Sequence, residues 1–220
     1  MESSMQKKII LLSLAAALFV NACAGLKSKT KYEILDHKGA ALEDSSIPKW
    51  LSAYLEGGEL QIERMAEHSG YYCFVGTEEG PNKQMVTRWA QTVSGPALIA
   101  TQVSIRLEQM TSGDVGADNS SFQQSLKQVS TTAITATFSG ARKVNDWWVW
   151  RRAYDPKNHK QVISEDYSAY VLYIIEKKQL DKQVAAELQN TIDNRKNMSA
   201  DERKIYTDLI QKIMSRGLGV

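Results

Sequence analysis

An α+β domain is what the 220-residue sequence predicts: a small antiparallel-rich sheet packed by a long kinked helix, followed by a C-terminal helical extension. Three observations predict it. Apolar residues recur at steps of three or four between Lys83 and Met110, and again from Leu180, which is the period of an amphipathic helix. Aromatic and β-branched residues crowd into 71–75, 143–154 and 166–176 between turn-forming residues, as they do in strands. The composition, 43% apolar and 24% charged, suits a chain that buries a core.

The N-terminus reads as a processed segment. Lys7 and Lys8 precede an apolar run from Ile9 to Val20, then Asn21, Ala22 and Cys23. A charged start, a short apolar centre and a small-residue end define a signal peptide over 1–22. The run would cover about 18 Å of a hydrocarbon core about 30 Å thick, so a permanent span is the weaker reading. Val20-Asn21-Ala22-Cys23 resembles the lipobox of bacterial lipoproteins. That resemblance implies acylation of Cys23 by chains such as palmitate, and Ala24 after it implies the outer membrane of a bacterial cell envelope. Each buried methylene contributes about 0.8 kcal/mol, so several chains hold where one is marginal.

The elements then follow in order. Residues 23–47 are polar and aperiodic, with Lys27, Lys29 and Lys31, and read as a flexible tether. Ile47, Trp50, Leu51 and Tyr54 or Leu55 fall at helical spacing with Pro48 at a first-turn position, and Gly57-Gly58 should end that helix. The stretch from Glu59 to Ser69 has no clear period. An acylated Cys23 leaves Cys73 no disulfide partner, and the apolar strand-like run over 71–75 reads as holding it as a buried, inert thiol rather than a reactive one. Gly76 to Asn82 reads as a turn-rich loop.

The helical stripe from Lys83 to Met110 carries Gly95-Pro96 in its middle, where the proline ring removes a donor, so it should kink or break into two helices there. Ala90, Ala97 and Ala100 would allow close approach to a sheet. A polar loop runs from Thr111 to Ser121, after which a helical stripe through Phe122, Leu126, Val129 and Ala133 competes with strand-like alternation from Thr131 to Phe138. The strands over 143–154 and 166–176 form a hairpin around the turn Asp155-Pro156-Lys157-Asn158-His159. Leu180, Val184, Leu188 and Ile192 mark a helix, and Ser199 with Glu202 forms a capping box for a last one through Met214. The body accordingly divides into an α+β domain at 48–177 and C-terminal helices at 178–220.

Pro48 and Trp50 at the entry, Phe74-Val75-Gly76, the alanine-spaced helix, Asp146-Trp147-Trp148 and the closing Tyr170-Val171-Leu172 together resemble the LPP-twenty lipoprotein family. That family is similar in fold to the N-terminal domain of the flagellar outer-membrane assembly protein T. The resemblance covers about residues 48 to 177 and departs from the family at Pro96 and after Lys178. It implies a small α+β domain on an envelope lipoprotein, with no catalytic residues to carry over.

Few patterns point to chemistry. Lys and Arg number 27 against 25 Asp and Glu, with no basic block, which argues against a nucleic-acid partner. The three histidines, His37, His68 and His159, stand apart from one another and from any cysteine pair, so no metal site or other cofactor is expected. They read as tether surface, loop edge and turn. Asp114, Asp118 and Asn119 miss the ligand order of a calcium loop. The segment from Gly76 to Lys83 lacks the Gly-Lys-Ser/Thr junction of a phosphate cradle, and Ser94-Gly95 lacks the flanking pattern of a nucleophile turn. Glu63 with Glu67, and Glu78 with Glu79, read as surface carboxylates.

The densest aromatic group, Trp147, Trp148 and Trp150 beside Arg151 and Arg152, is the candidate interaction surface. On a strand Trp148 and Trp150 point one way and Trp147 the other. One reading packs a face under helices; the other makes an aromatic and guanidinium patch for a protein or glycan, since Trp and Arg dominate binding hot spots. The expectation for the whole is a lipid-anchored, periplasm-facing scaffold or protein-interaction module without catalysis, held in the membrane by acyl chains and serving an envelope protein partner. The alternative is a lipoprotein that binds a small ligand or glycan between helix and sheet.

Overall fold

The computed structural model describes residues 31–42, 47–112, 133, 136 and 138–219. The signal peptide, Cys23, the aspartates of the 111–121 loop and most of the segment with competing helix and strand readings lie outside those residues. Within the described residues the fold is α+β, with a four-stranded antiparallel sheet in the order β1-β3-β4-β2. Its strands are β1 (Lys31–His37), β2 (Tyr71–Gly80), β3 (Arg142–Tyr154) and β4 (Val162–Glu176). The helices are α1 (Lys49–Glu63), α2 (Lys83–Thr92), α3 (Gly95–Ser112), α4 (Lys177–Asn194) and α5 (Ala200–Arg216). Short 3-10 turns stand at Ala40–Leu42 and Ala66–His68. The chain divides into two compact units, a larger one of Ile34–Arg151 with Asp166–Val220 and a smaller one of Met1–Glu33 with Arg152–Glu165.

In the larger unit alternation along the strands separates two cores. Tyr72, Phe74, Val171, Tyr173 and Ile175 project to one side of the sheet and meet α2, α3, α4 and α5. Cys73, Val75, Trp147, Val149, Leu172 and Ile174 project to the other and meet Trp50, Leu51 and Ile62 of α1. Register along β2 and β4 is continuous from Tyr71 opposite Glu176 to Gly80 opposite Tyr167. The strand therefore runs through Gly76–Gly80, which sequence reading had as a loop: pairing with β4 supplies the hydrogen bonds that local composition does not promise.

The break at Gly95-Pro96 is real. Val93 leaves the helical region, α2 ends at Thr92 and α3 starts at Gly95. The site is clamped by Tyr173, whose hydroxyl donates to the Val93 carbonyl at 2.8 Å. A Cβ on Gly95 would lie 2.5 Å from the Tyr173 ring, so only glycine admits the ring there. At the other glycine pair the expectation is corrected. Gly57-Gly58 kinks α1 without ending it, and Gly58 adopts φ 68°, ψ −162°, a region essentially reserved for glycine. The helix resumes because Ile62, beyond the kink, buries in the same core as Trp50 and Leu51.

The tether is also corrected. Residues 31–37 form an edge strand, and His37 is half-buried, its ring stacked on Trp147 at 5.8 Å between centroids. The C-terminal helices share the core of the preceding domain: Leu180, Leu188, Tyr206 and Leu209 belong to it, and the Ser199 and Glu202 capping box is formed with both reciprocal bonds. Asn82 caps α2 by accepting from the backbone N–H groups of Gln84 and Met85.

Candidate functional site

Two places in the larger unit gather side chains that could recognise a partner. The first is an aromatic row on the face of β3 and β4 that bears α2 to α5. Trp150 stacks on Tyr167 at 5.4 Å with the rings 11° apart, and Trp148 meets the same Tyr167 at 6.4 Å, tilted by 50°. All three are half-buried. Lys83, from the first turn of α2, sits 3.8 Å above the Trp148 ring and pairs with Asp36 at 3.4 Å. One face of Trp148 is thus already taken by a cation.

Beside that row lies a cleft of about 290 Å³ between α2 and β3, lined by Lys38, Thr87, Gln91, Asp146, Trp147 and Trp148 together with Ala90. Asp146 is its charged centre. It holds Lys38 at 2.5 Å and Lys143 at 2.8 Å. Lys38 also donates to the Asp146 carbonyl, and Lys143 to the Ala90 carbonyl at the end of the cleft. Burial works to raise the Asp146 pKa, but the hydrogen bonds from Lys143 and Lys38 outweigh it and hold the carboxyl below its usual range. With two ammonium groups against one carboxylate, this cluster has cationic excess, and Thr87 and Gln91 add a hydroxyl and an amide.

The five residues of the sequence-based surface do not form one patch. Trp147 is only 6% exposed and sits in the core under α1. Arg151 projects to that same side and pairs with Glu79 at 2.5 Å, where Ser168 also donates. Trp148 and Trp150 face the other way. Arg152 belongs to the smaller unit and is engaged by Glu165 at 2.6 Å and Glu33 at 3.5 Å. Cys23 lies outside the described residues.

No family model, curated protein or solved structure matches this chain. The LPP-twenty resemblance therefore stays an expectation.

Sequence reading missed a buried ion pair. Glu63, expected on the surface, is buried with Arg106 at 2.6 Å. Glu63 also accepts from the backbone N–H of Cys73 at 3.1 Å, and Lys177 stands at 3.7 Å. Arg106 reaches it across the Tyr72 and Phe74 rings. β2 is an edge strand, so the pair covers a donor that no neighbouring strand can use. The only sequence signal was Arg106 sitting in an apolar stripe. Cys73 itself behaves as expected: burial, then the Glu63 charge, pushes its pKa up to about 12.

A second polar knot joins the C-terminus to the core. Tyr72 donates to Asp181 at 2.8 Å, and the Leu218 N–H reaches the Tyr72 hydroxyl at 2.6 Å and Asp181 at 3.1 Å. Burial raises the Asp181 pKa against those bonds. Two histidines are reassigned: His68 is buried rather than at a loop edge, and His37 packs on the sheet. His159 stands exposed on the hairpin turn. Among the described residues no three His, Cys, Asp or Glu side chains gather as a metal site, and no helix is long and apolar enough to cross a membrane.

Proposed function

We propose that this protein is a lipid-anchored, periplasm-facing module of the bacterial cell envelope, at the outer membrane, whose body works by binding an envelope protein rather than by catalysis. The observation that carries the reading is Cys23 placed directly after a small residue at the end of a short apolar run. The binding half is supported by the stacked Trp148, Tyr167 and Trp150 row, which leaves part of each ring in reach of a partner. Fractionation tests the first half: Cys23→Ala should move the processed chain out of the membrane fraction, and mass spectrometry of the wild type should find an acylated residue 23. Retention of the Cys23→Ala chain with its signal removed would refute the anchor. Capture from detergent-solubilised envelopes tests the second, with Trp150→Ala expected to lose a stoichiometric partner that wild type retains.

The cleft between α2 and β3 favours a second reading, a small polar or glycan ligand held between helix and sheet. Its cationic excess at Lys38 and Lys143 suits a carboxylated ligand. Tryptophan fluorescence during titration with acidic sugars separates the readings, because Gln91→Ala should weaken a cleft ligand and leave protein capture intact.

A further inference from the structure

The smaller unit ends in an apolar tip that is exposed on both sides. Val162 and Ile163 are consecutive in β4 and so project to opposite sides of the strand, yet they are 45% and 52% exposed. Tyr32 at the start of β1 is 56% exposed. Two strand neighbours exposed together mean that neither side of the strand is covered here, which leaves apolar surface in water on both. The turn joining β3 to β4 adds exposed Lys157 and Lys160.

Each carboxylate among the described residues of this unit has its partners within the unit. Asp155 accepts from the backbone N–H groups of Lys157 at 2.6 Å and Asn158 at 2.9 Å, which shapes the turn. Glu165 holds Arg152, and Glu33 takes both Arg152 and the Tyr154 hydroxyl. Asp155 keeps its charge but is half-buried against the turn's own backbone, whereas Lys157 and Lys160 are exposed, so the exposed charge of the turn is ammonium. The described part of the unit begins at Lys31, eight residues after Cys23, and at no more than 3.6 Å per residue an acylated Cys23 lies within about 29 Å of it. Lys27 and Lys29 stand in that interval.

We infer that this tip docks on an anionic bilayer surface, Val162 and Ile163 entering the interface while Lys157 and Lys160 meet the headgroups. The inference rests on the proposed acylation for delivery to the membrane, and on the tip's own residues for its chemistry. Apolar burial and attraction to anionic lipid add in such contacts, each lysine contributing roughly fivefold in partitioning.

The chain from Ala24 retains every described residue and carries no lipid, so its co-sedimentation isolates the tip. It should partition onto vesicles containing phosphatidylglycerol and not onto phosphatidylcholine alone. Lys157→Gln with Lys160→Gln should weaken partitioning by roughly 25-fold, and Ile163→Asp by about tenfold. In the membrane-extracted protein, bimane on Ile163→Cys should be quenched by nitroxide-bearing phospholipid, with buried Cys73 left unlabelled. Equal partitioning onto both vesicle types, an unaffected lysine double variant, or an unquenched bimane would each overturn the inference. An unmodified Cys23 in a chain that still binds anionic vesicles would sink the anchor and leave the docking standing.

Discussion

On one side of the sheet a single kinked helix, α1, covers Trp147, Val149, Leu172 and Ile174; on the other, α2 to α5 cover Phe74, Val171, Tyr173 and Ile175. The four-helix side is built from regular parts. Side chains cap α2 and α5, and a tyrosine hydroxyl fixes the break between α2 and α3. The α1 side has no side-chain cap bond at Pro48 and carries a glycine-only conformation in mid-helix. It is held by what crosses to it: Arg106 of α3 passes the β2 edge to reach Glu63 of α1. A thin layer on a sheet can thus depend on one buried ion pair where a thick layer depends on area.

Breaking that pair should give the largest effect. Arg106→Ala leaves Glu63 buried with the Cys73 N–H and, as its one remaining cation, Lys177 at 3.7 Å, and breaking a buried pair costs about 3–5 kcal/mol. Glu63→Gln with Arg106→Met should cost clearly less than the Arg106→Ala single change, because no charge is left without its partner. Urea denaturation of the variants measures both. Similar losses for the two would show that the side chains act by shape alone.

The comparison sharpens at two neighbouring isoleucines. Ile174 and Ile175 are alike in chemistry and in burial, at 2% and 1% exposed, but stand on opposite sides of β4. Truncation to alanine costs about 2–5 kcal/mol according to how far the surroundings collapse. Ile175→Ala should fall at the upper end, since four mutually packed helices cannot close the void. Ile174→Ala should fall lower because α1 can shift at its kink. The reverse order in thermal or urea unfolding would mean that α1 is the more rigid cover.

Gly58→Ala comes next. Nothing would touch the added Cβ, so its cost is conformational alone, about 1–3 kcal/mol. It should fall on α1 and leave the other side folded, which alkylation of Cys73 reads directly. With its pKa near 12 the thiol is inert until the strand is uncovered, so labelling at neutral pH should accelerate in Gly58→Ala.

What could be read from the sequence divides along the same line. The stripes that build α2 to α5, the Gly95-Pro96 break and the Ser199 capping box all follow from periods and end signals within a few residues. The alternation of Trp147 against Trp148 was legible too. The failures lie where distant partners decide. β1 was hidden because an exposed edge strand keeps polar residues, β2 was cut short at Gly76 because its partner β4 lies about a hundred residues away, and Gly57-Gly58 read as a stop because Ile62 was not known to share a core with Trp50. Glu63 is the plainest case: one carboxylate has no local pattern, and only the fold brings Arg106 to it. The candidate site was half legible for the same reason. The tryptophans were found, whereas Tyr167, Lys83 and Asp146 join them only through the sheet and α2.

The smallest expected effect tests whether the two sides are separable at all. Ser199→Ala removes the acceptor for the Glu202 N–H at the start of α5 and should cost about 1 kcal/mol of global stability. If Cys73 is uncovered by release of α1 alone, its alkylation rate should not change, because α5 packs on the other side of the sheet. If Cys73 is reached only when the whole unit unfolds, the same 1 kcal/mol should raise the rate roughly fivefold. An unchanged rate is expected, since α1 combines an uncapped start with a mid-helix kink and is therefore the element whose release is cheapest. A fivefold rise would make the sheet and its helices one cooperative unit, and the ion pair at Glu63 would then be stabilising both sides equally.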